Sequence, residues 1–140
     1  MPAKASAEWH GGLMTGGGSF TAGEGINGEV SFKSRFEDGP GANPEQLIAA
    51  AHASCFSMAL SAGLEQAGTP VESVKTDATV TLRMIDGAPT ITSIALKTVG
   101  VVPGIDQAGF EEAAAGAKAN CPVSKALSGV PEITLEATLA

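Results

Sequence analysis

The segment NPEQLIAAAHASCFSMALSAGL, which begins at Asn43, constrains the fold of this chain more than any other. Asn43 suits a helix N-cap and Pro44 suits the first helical position. Glu45 places a negative charge near the positive end of the helix dipole. We therefore predict a helix from Pro44 to about Ala67, ended by Gly68.

This helix is apolar or small on nearly every side. At 100° per residue, the main packing face comprises Leu47, Ile48, Ala51, Cys55, Met58, Ala59 and Ala62, and the opposite side carries Ala49, Ala50, Ala53, Ser57, Leu60 and Leu64. A domain of 140 residues seldom encloses such a helix completely. Because small residues let a second helix approach closely, we expect a homodimer in which a two-fold copy of this helix packs against the first.

Composition limits the classes of partner and compartment. A chain of 140 residues fits a single domain, residues 1–140, with no linker or internal repeat. The net charge of -7 and the lack of a basic cluster argue against nucleic acid. The N-terminus has no apolar signal region, and polar residues interrupt the long apolar segment, so we expect neither secretion nor a membrane span. We therefore expect a cytoplasmic, reducing setting. In such a setting the two cysteines are expected to be free, catalytic or redox-active.

The remaining pattern predicts an α+β fold. We expect strands at residues 5–10, 29–36, 75–84, 90–102 and 132–139, a turn at Asp86-Gly87, a second helix capped by Asp106, and a third from Pro122 to Gly129. The strands at 75–84 and 90–102 form an antiparallel hairpin. Helices interrupt runs of strands without regular βαβ spacing, so we predict antiparallel strands packed around the long central helix.

The two cysteines differ in their surroundings. Cys55 lies on the packing face of the long helix, where a lone cysteine is commonly a small hydrophobe. Cys121 begins a helix in the stretch Asn-Cys-Pro-Val-Ser, where unpaired backbone N–H groups favour a thiolate. Cys121 is therefore either a simple cap or the more acidic of the two thiols.

Two stretches together carry a family resemblance. RFEDGPGANPEQLIAAAHASCFSMAL and KANCPVSKAL resemble the OsmC branch of the OsmC/Ohr family of organic hydroperoxide reductases, and the likeness runs from about Ala5 onward. The resemblance implies an intertwined homodimer that acts as a thiol-dependent peroxidase. In it Cys55 attacks the peroxide, and Cys121 resolves the resulting sulfenic acid as a disulfide. Dihydrolipoyl groups or small thiols are then expected to restore the dithiol.

An arginine is also implied, because something other than its own helix must acidify Cys55. The chain has two arginines: Arg83 lies in a hairpin strand without a motif, whereas Arg35 lies in Ser-Arg-Phe-Glu, which leads to the long helix. We assign the role to Arg35 and, by resemblance, its orientation to Glu45. The alternative is a surface arginine paired with Glu37 or Asp38.

Two other functions are compatible with the sequence. His52 is three residues before Cys55, which permits a Cys-His acyl-transfer hydrolase, although a polar position at the dimer seam is the simpler interpretation. A non-enzymatic binding module with core cysteines is a third hypothesis. His10 has no evident partner. We predict no metal site, because neither C-x-x-C nor H-x-x-x-H spacing occurs, and no cofactor.

Overall fold

The computed structural model describes residues 1–140, which group into two compact units, residues 1–47 and 48–140. The first unit contains a three-stranded antiparallel sheet in the order β1-β2-β3 (Ala5–His10, Gly17–Ala22 and Ile26–Val30). A short helix α1 (Phe32–Phe36) follows, and the helix α2 (Pro44–Gln66) begins in this unit.

Two expectations for the first unit were wrong. The predicted strand at residues 29–36 ends at Val30, because the hydroxyls of Ser31 and Ser34 each accept from the other's backbone N–H and start α1. This places Arg35 on a helix. Strand β2 is absent from the predicted strands, because its glycines are typical of turns. Gly18 pairs with Trp9 and Val30, and a Cβ at this position would collide with both side chains.

The second unit is built on the sheet β4-β5-β6 (Ser73–Ile85, Ala88–Val101 and Glu132–Leu139). Asp86 and Gly87 join β4 to β5 with φ values of 51° and 80°, as a two-residue hairpin turn requires. Helices α3 (Gln107–Asn120) and α4 (Pro122–Ala126) then return the chain, so β6 pairs parallel with β5 and is the exception to the antiparallel pattern. The α+β class is confirmed.

The core of the second unit joins α2 to the sheet and to α3. It contains Phe56, Leu60 and Leu64 of α2 together with Ile94, Leu96, Phe110, Ala114, Ala117 and Cys121. Gly100 is required for this packing, because a Cβ there would lie 2.4 Å from the Phe110 ring.

The predicted bounds of α2 agree with the structure, but its predicted packing face is wrong. The face that is buried within one chain carries His52, Phe56, Leu60 and Leu64, whereas Leu47, Ala51, Met58 and Ala62 are exposed. By length and composition alone α2 also passes for a membrane span, with 23 residues and a mean hydropathy of 1.5. Its buried histidine and large apolar residues instead pack as those of a core helix.

Candidate functional site

The two cysteines meet in the second unit. Cys55, from the middle of α2, lies close enough to Cys121, at the junction of α3 and α4, for each thiol to shift the pKa of the other. Both are free thiols; Cys55 is partly exposed, whereas Cys121 is completely buried. The fold therefore brings together two thiols that are distant in sequence.

The pKa values of the two thiols shift in opposite directions. Burial raises the pKa of Cys55, against the effect of a backbone N–H from Val123. Burial also acts on Cys121, but hydrogen bonds from the Ser124 backbone, the Cys55 thiol, the Ser124 hydroxyl and the Val123 backbone outweigh it and lower the pKa of Cys121. In one isolated chain the more acidic thiol is Cys121, as its position before a helix predicts.

His52 and Ser124 extend this cluster. His52 is completely buried, and its Nε2 lies 2.6 Å from Oγ of Ser124, while its Nδ1 is buried without a partner. Burial lowers the pKa of His52, which favours the neutral imidazole. The expectation that His52 lines a dimer seam is wrong, because its ring is enclosed within a single chain.

The first unit carries an ion pair. Arg35 donates from Nε and Nη2 to the same carboxylate oxygen of Glu45, at 3.2 and 2.9 Å. Glu45 is buried, whereas the Arg35 side chain is 37% exposed and lies against the Phe36 ring. Nη1 takes no part in the pair and is free to donate elsewhere. The ion pair thus forms with Glu45, and not with Glu37 or Asp38.

Two polar residues hold this ion pair in place. The hydroxyl of Ser34, next to Arg35, donates to the carbonyl of Ala42, and the side chain of Asn43 donates to the carbonyl of Ser34. Asn43 also caps α2 by accepting from the backbone of Gln46. The start of α2 and the whole of α1 are therefore tied together, which fixes the carboxylate relative to the guanidinium.

Sequence reasoning missed Ser34 and Ser124. Ser124 follows Cys121 by three residues, and this spacing places both on one side of a helical turn, which is a usable signal. Its bond to His52 spans 72 residues and has no local signature. His10, for which no partner was evident, pairs with the exposed Glu8 at 3.0 Å.

The two alternative functions lose their structural basis. Nε2 of His52 is engaged by Ser124 and Nδ1 has no partner, so the nucleophile and base of a Cys-His hydrolase are not paired. A binding module with inert core cysteines does not explain why two thiols from separate elements contact each other. Two free thiols that lie close together are what a dithiol redox site requires.

Comparison with known proteins identifies the family. The model of the OsmC family, described as OsmC-like protein, matches residues 37–136. Proteins called peroxiredoxin OsmC from Escherichia coli and from Shigella flexneri are each 45% identical to this chain over 135 residues, which cover 95% of the chain and 93% of the relative. The chain belongs to the OsmC family, and its assignment as an enzyme of the peroxidase class is confirmed.

Solved structures agree with this assignment. The organic hydroperoxide resistance protein OhrB of Bacillus subtilis is 26% identical and superposes with a TM-score of 0.72, covering 100% of this chain and 98% of its own. An organic hydroperoxide resistance protein OsmC from Legionella pneumophila, 24% identical, has a TM-score of 0.72 and covers 98% of this chain and 96% of its own, which confirms the fold.

Proposed function

We propose that this peroxidase reduces organic hydroperoxides to alcohols through a sulfenic acid on Cys55, which Cys121 resolves as a disulfide. The observation that carries the proposal is the contact between a partly exposed and a completely buried thiol. A peroxide in solution reaches the first sulfur and not the second. Cys55 is therefore the attacking residue, although Cys121 is the more acidic thiol in one chain.

The attack requires a cation near Cys55. Burial disfavours its thiolate, so a positive charge must restore that form before the sulfur displaces the outer oxygen of the peroxide. The O–O bond breaks, Cys55 becomes Cys–SOH, and the leaving alkoxide takes a proton to become the alcohol. We assign the cation to Arg35, whose free Nη1 suits both the thiolate and the departing oxygen.

The partner subunit is the source of that arginine in our proposal. Glu45 and Cys55 lie on one continuous helix, and ten residues of α-helix rise about 15 Å. Arg35 is bonded to Glu45, so one guanidinium does not also reach the thiol of the same helix at hydrogen-bond distance. Antiparallel copies of α2 that cross near Ala50 bring Glu45 of one chain level with Cys55 of the other.

The exposed surface of α2 supports such a homodimer. Only 22% of its most apolar window is buried within one chain, and Leu47 and Met58 are 38% and 73% exposed. An apolar helix face of this kind is stabilised when a second copy covers it. The same apolar surroundings favour organic hydroperoxides over hydrogen peroxide, since each buried CH₂ contributes roughly 0.8 kcal/mol.

Turnover requires an external thiol. Once Cys121 has displaced hydroxide from the Cys55 sulfenic acid, the disulfide protects Cys55 from irreversible over-oxidation. A dihydrolipoyl group or another small dithiol then returns both sulfurs to thiols by exchange. We place this cycle in the cytoplasm, where such reductants keep cysteines reduced.

Stopped-flow consumption of cumene hydroperoxide, with excess dithiol, tests the proposal. Rapid consumption with formation of the corresponding alcohol is expected for the native chain and none for Cys55→Ser. A nitrophenyl ester serves as a second substrate, and we expect no hydrolysis above background. Ester hydrolysis lost on Cys55→Ser, with hydroperoxide left intact by the native chain, would refute the proposal.

A further inference from the structure

His52 and Ser124 form a buried hydrogen-bonded pair close to the thiol of Cys121. Nε2 of His52 lies 2.6 Å from Oγ of Ser124, and Ser124 follows Cys121 by three residues, so both lie on one side of the first turn of α4. We propose that this His52–Ser124–Cys121 chain is a proton relay that activates Cys121 for disulfide formation. The inference rests on the proposed function, since it concerns the second step of that cycle.

The relay has two complete hydrogen-bond arrangements. With Cys121 as a thiol, its S–H donates to Oγ of Ser124, and the serine hydroxyl donates to an unprotonated Nε2 of His52. With Cys121 as a thiolate, Nε2 carries the proton and donates to Oγ, and the hydroxyl donates to the sulfur. Either arrangement leaves the three groups fully connected, so one proton crosses from sulfur to imidazole without breaking the chain.

The chemistry of resolution needs such a transfer. The Cys121 thiolate attacks the sulfur of the Cys55 sulfenic acid, the S–S bond forms and the S–O bond breaks. Cys121 is oxidised, the Cys55 sulfur is reduced, and hydroxide leaves as water after taking one proton. The proton removed from Cys121 equals the proton taken up by hydroxide, so the step as a whole neither consumes nor releases one. Because Cys121 is completely buried, bases in solution do not reach its thiol. Its proton must therefore pass to an acceptor inside the protein.

The burial of His52 is otherwise unexplained. A completely enclosed imidazole with one unpartnered nitrogen is less stable than an apolar side chain of similar size. Its environment favours the neutral ring, which is the form that accepts a proton. In the proposed relay, Ser124 exchanges the proton with the reacting sulfur, and His52 acts through Ser124 as a positioning residue and proton acceptor.

Single-turnover kinetics separate the two steps. The protein is mixed with one equivalent of cumene hydroperoxide and quenched at intervals with a sulfenic-acid trap and a thiol label, so that mass spectrometry follows Cys–SOH and disulfide separately. We expect His52→Gln and Ser124→Ala to lower the ratio of the disulfide-forming rate to the Cys55 oxidation rate by at least about tenfold. The Cys55 sulfenic acid should accumulate in both variants.

Two further variants distinguish a relay from a purely structural role. Ser124→Thr keeps the hydroxyl and should restore the ratio to within about twofold of the native value, which Ser124→Ala does not. Ser57→Ala removes a different α2 hydroxyl, bonded to Thr76, and should leave the ratio unchanged. The serine pair keeps the test decisive if His52→Gln fails to fold.

The outcomes discriminate between the relay and the underlying cycle. An unchanged ratio in Ser124→Ala, with disulfide still formed by the native chain, overturns the relay and leaves the proposed function intact. Equal loss in Ser124→Ala and Ser124→Thr also overturns it, because that result reflects packing. If the native chain forms sulfenic acid but no disulfide, both the relay and Cys121 as the resolving residue are wrong.

Discussion

The ion pair and the thiol pair of this chain are built in opposite ways. Arg35 and Glu45 are ten residues apart and are held by hydrogen bonds of their immediate neighbours, with the guanidinium partly in solvent. The thiols come from distant parts of the chain and lie against a core, with one sulfur fully enclosed. Burying a neutral thiol costs little free energy, whereas burying a charged guanidinium is costly.

This difference explains why the chemistry needs both clusters. The environment that encloses the thiols also favours the protonated form of Cys55, the attacking residue in our proposal, because burial raises the pKa of Cys55. The cluster with a permanent charge is carried by another part of the chain. Catalysis then depends on bringing the two together, and in our account the second subunit does so. Substitutions in one cluster, in the other and in both therefore test this account.

The largest effect is expected when the thiol pair is broken. Cys55→Ser should lower hydroperoxide reduction by roughly a thousandfold or more, because the nucleophile is lost. Cys121→Ser should react once and then over-oxidise at Cys55, because nothing resolves the sulfenic acid. Mass spectrometry of the peroxide-treated variants reads both results. An unmodified Cys55 in treated Cys121→Ser would reverse the roles of the two cysteines.

Removing the charge should cost less than removing the sulfur. We expect Arg35→Ala to slow Cys55 oxidation by about a hundredfold, the loss typical of one electrostatic contact to a developing anion. Arg83→Ala is the matched control, since Arg83 is exposed on β4 and outside the ion pair. Stopped-flow oxidation rates decide the matter. Equal losses in the two variants would mean that Arg35 has no special role.

Mixing subunits tests whether the clusters belong to different chains. Inactive Cys55→Ser and inactive Glu45→Ala proteins are co-refolded in equal amounts, and heterodimers are counted by native mass spectrometry. Half of the dimers should be mixed, each with one intact site, so activity should return to about a quarter of the native value. No recovery, with heterodimers present, would place Glu45 and Cys55 in the site of one chain.

The smallest effect concerns the support of the ion pair. Ser34→Ala leaves the Ser31 N–H and the Ala42 carbonyl without their partner and should lower the free energy of unfolding by about 1–3 kcal/mol. Ser54→Ala removes an exposed hydroxyl that bonds only its own helix. This variant should change the free energy of unfolding by less than about 0.5 kcal/mol. Urea unfolding compares the two. Equal free energies of unfolding in the two variants would show that Ser34 does not support the ion pair.

The same contrast shows how far the sequence predicts this molecule. The α2 bounds, the β4–β5 hairpin, the Asp106 cap and β6 follow from caps, turn residues and periodicity, which act over a few residues. The Arg35–Glu45 pair lies within the same short range. The bond of His52 to Ser124 spans 72 residues and depends on packing that no local pattern encodes.

The prediction of the packing face of α2 failed for a related reason. A helix with small or apolar residues on nearly every side has almost no preferred direction, so periodicity does not choose between its faces. Phe56 and His52 decide which face is enclosed in one chain, since a large ring and a hydrogen bond to Ser124 fix the rotation of the helix. The other face is exposed in one chain, and our proposal places the second subunit there.

The central claim is that Cys55 and Cys121 form a reversible disulfide within one chain. Thiol titration before and after one equivalent of cumene hydroperoxide, followed by non-reducing peptide mapping, tests it most directly. We predict that both thiols of each chain disappear together, that one peptide pair links Cys55 to Cys121, and that a dithiol restores both. Loss of one thiol with the other still free, or a disulfide between chains, would contradict the account.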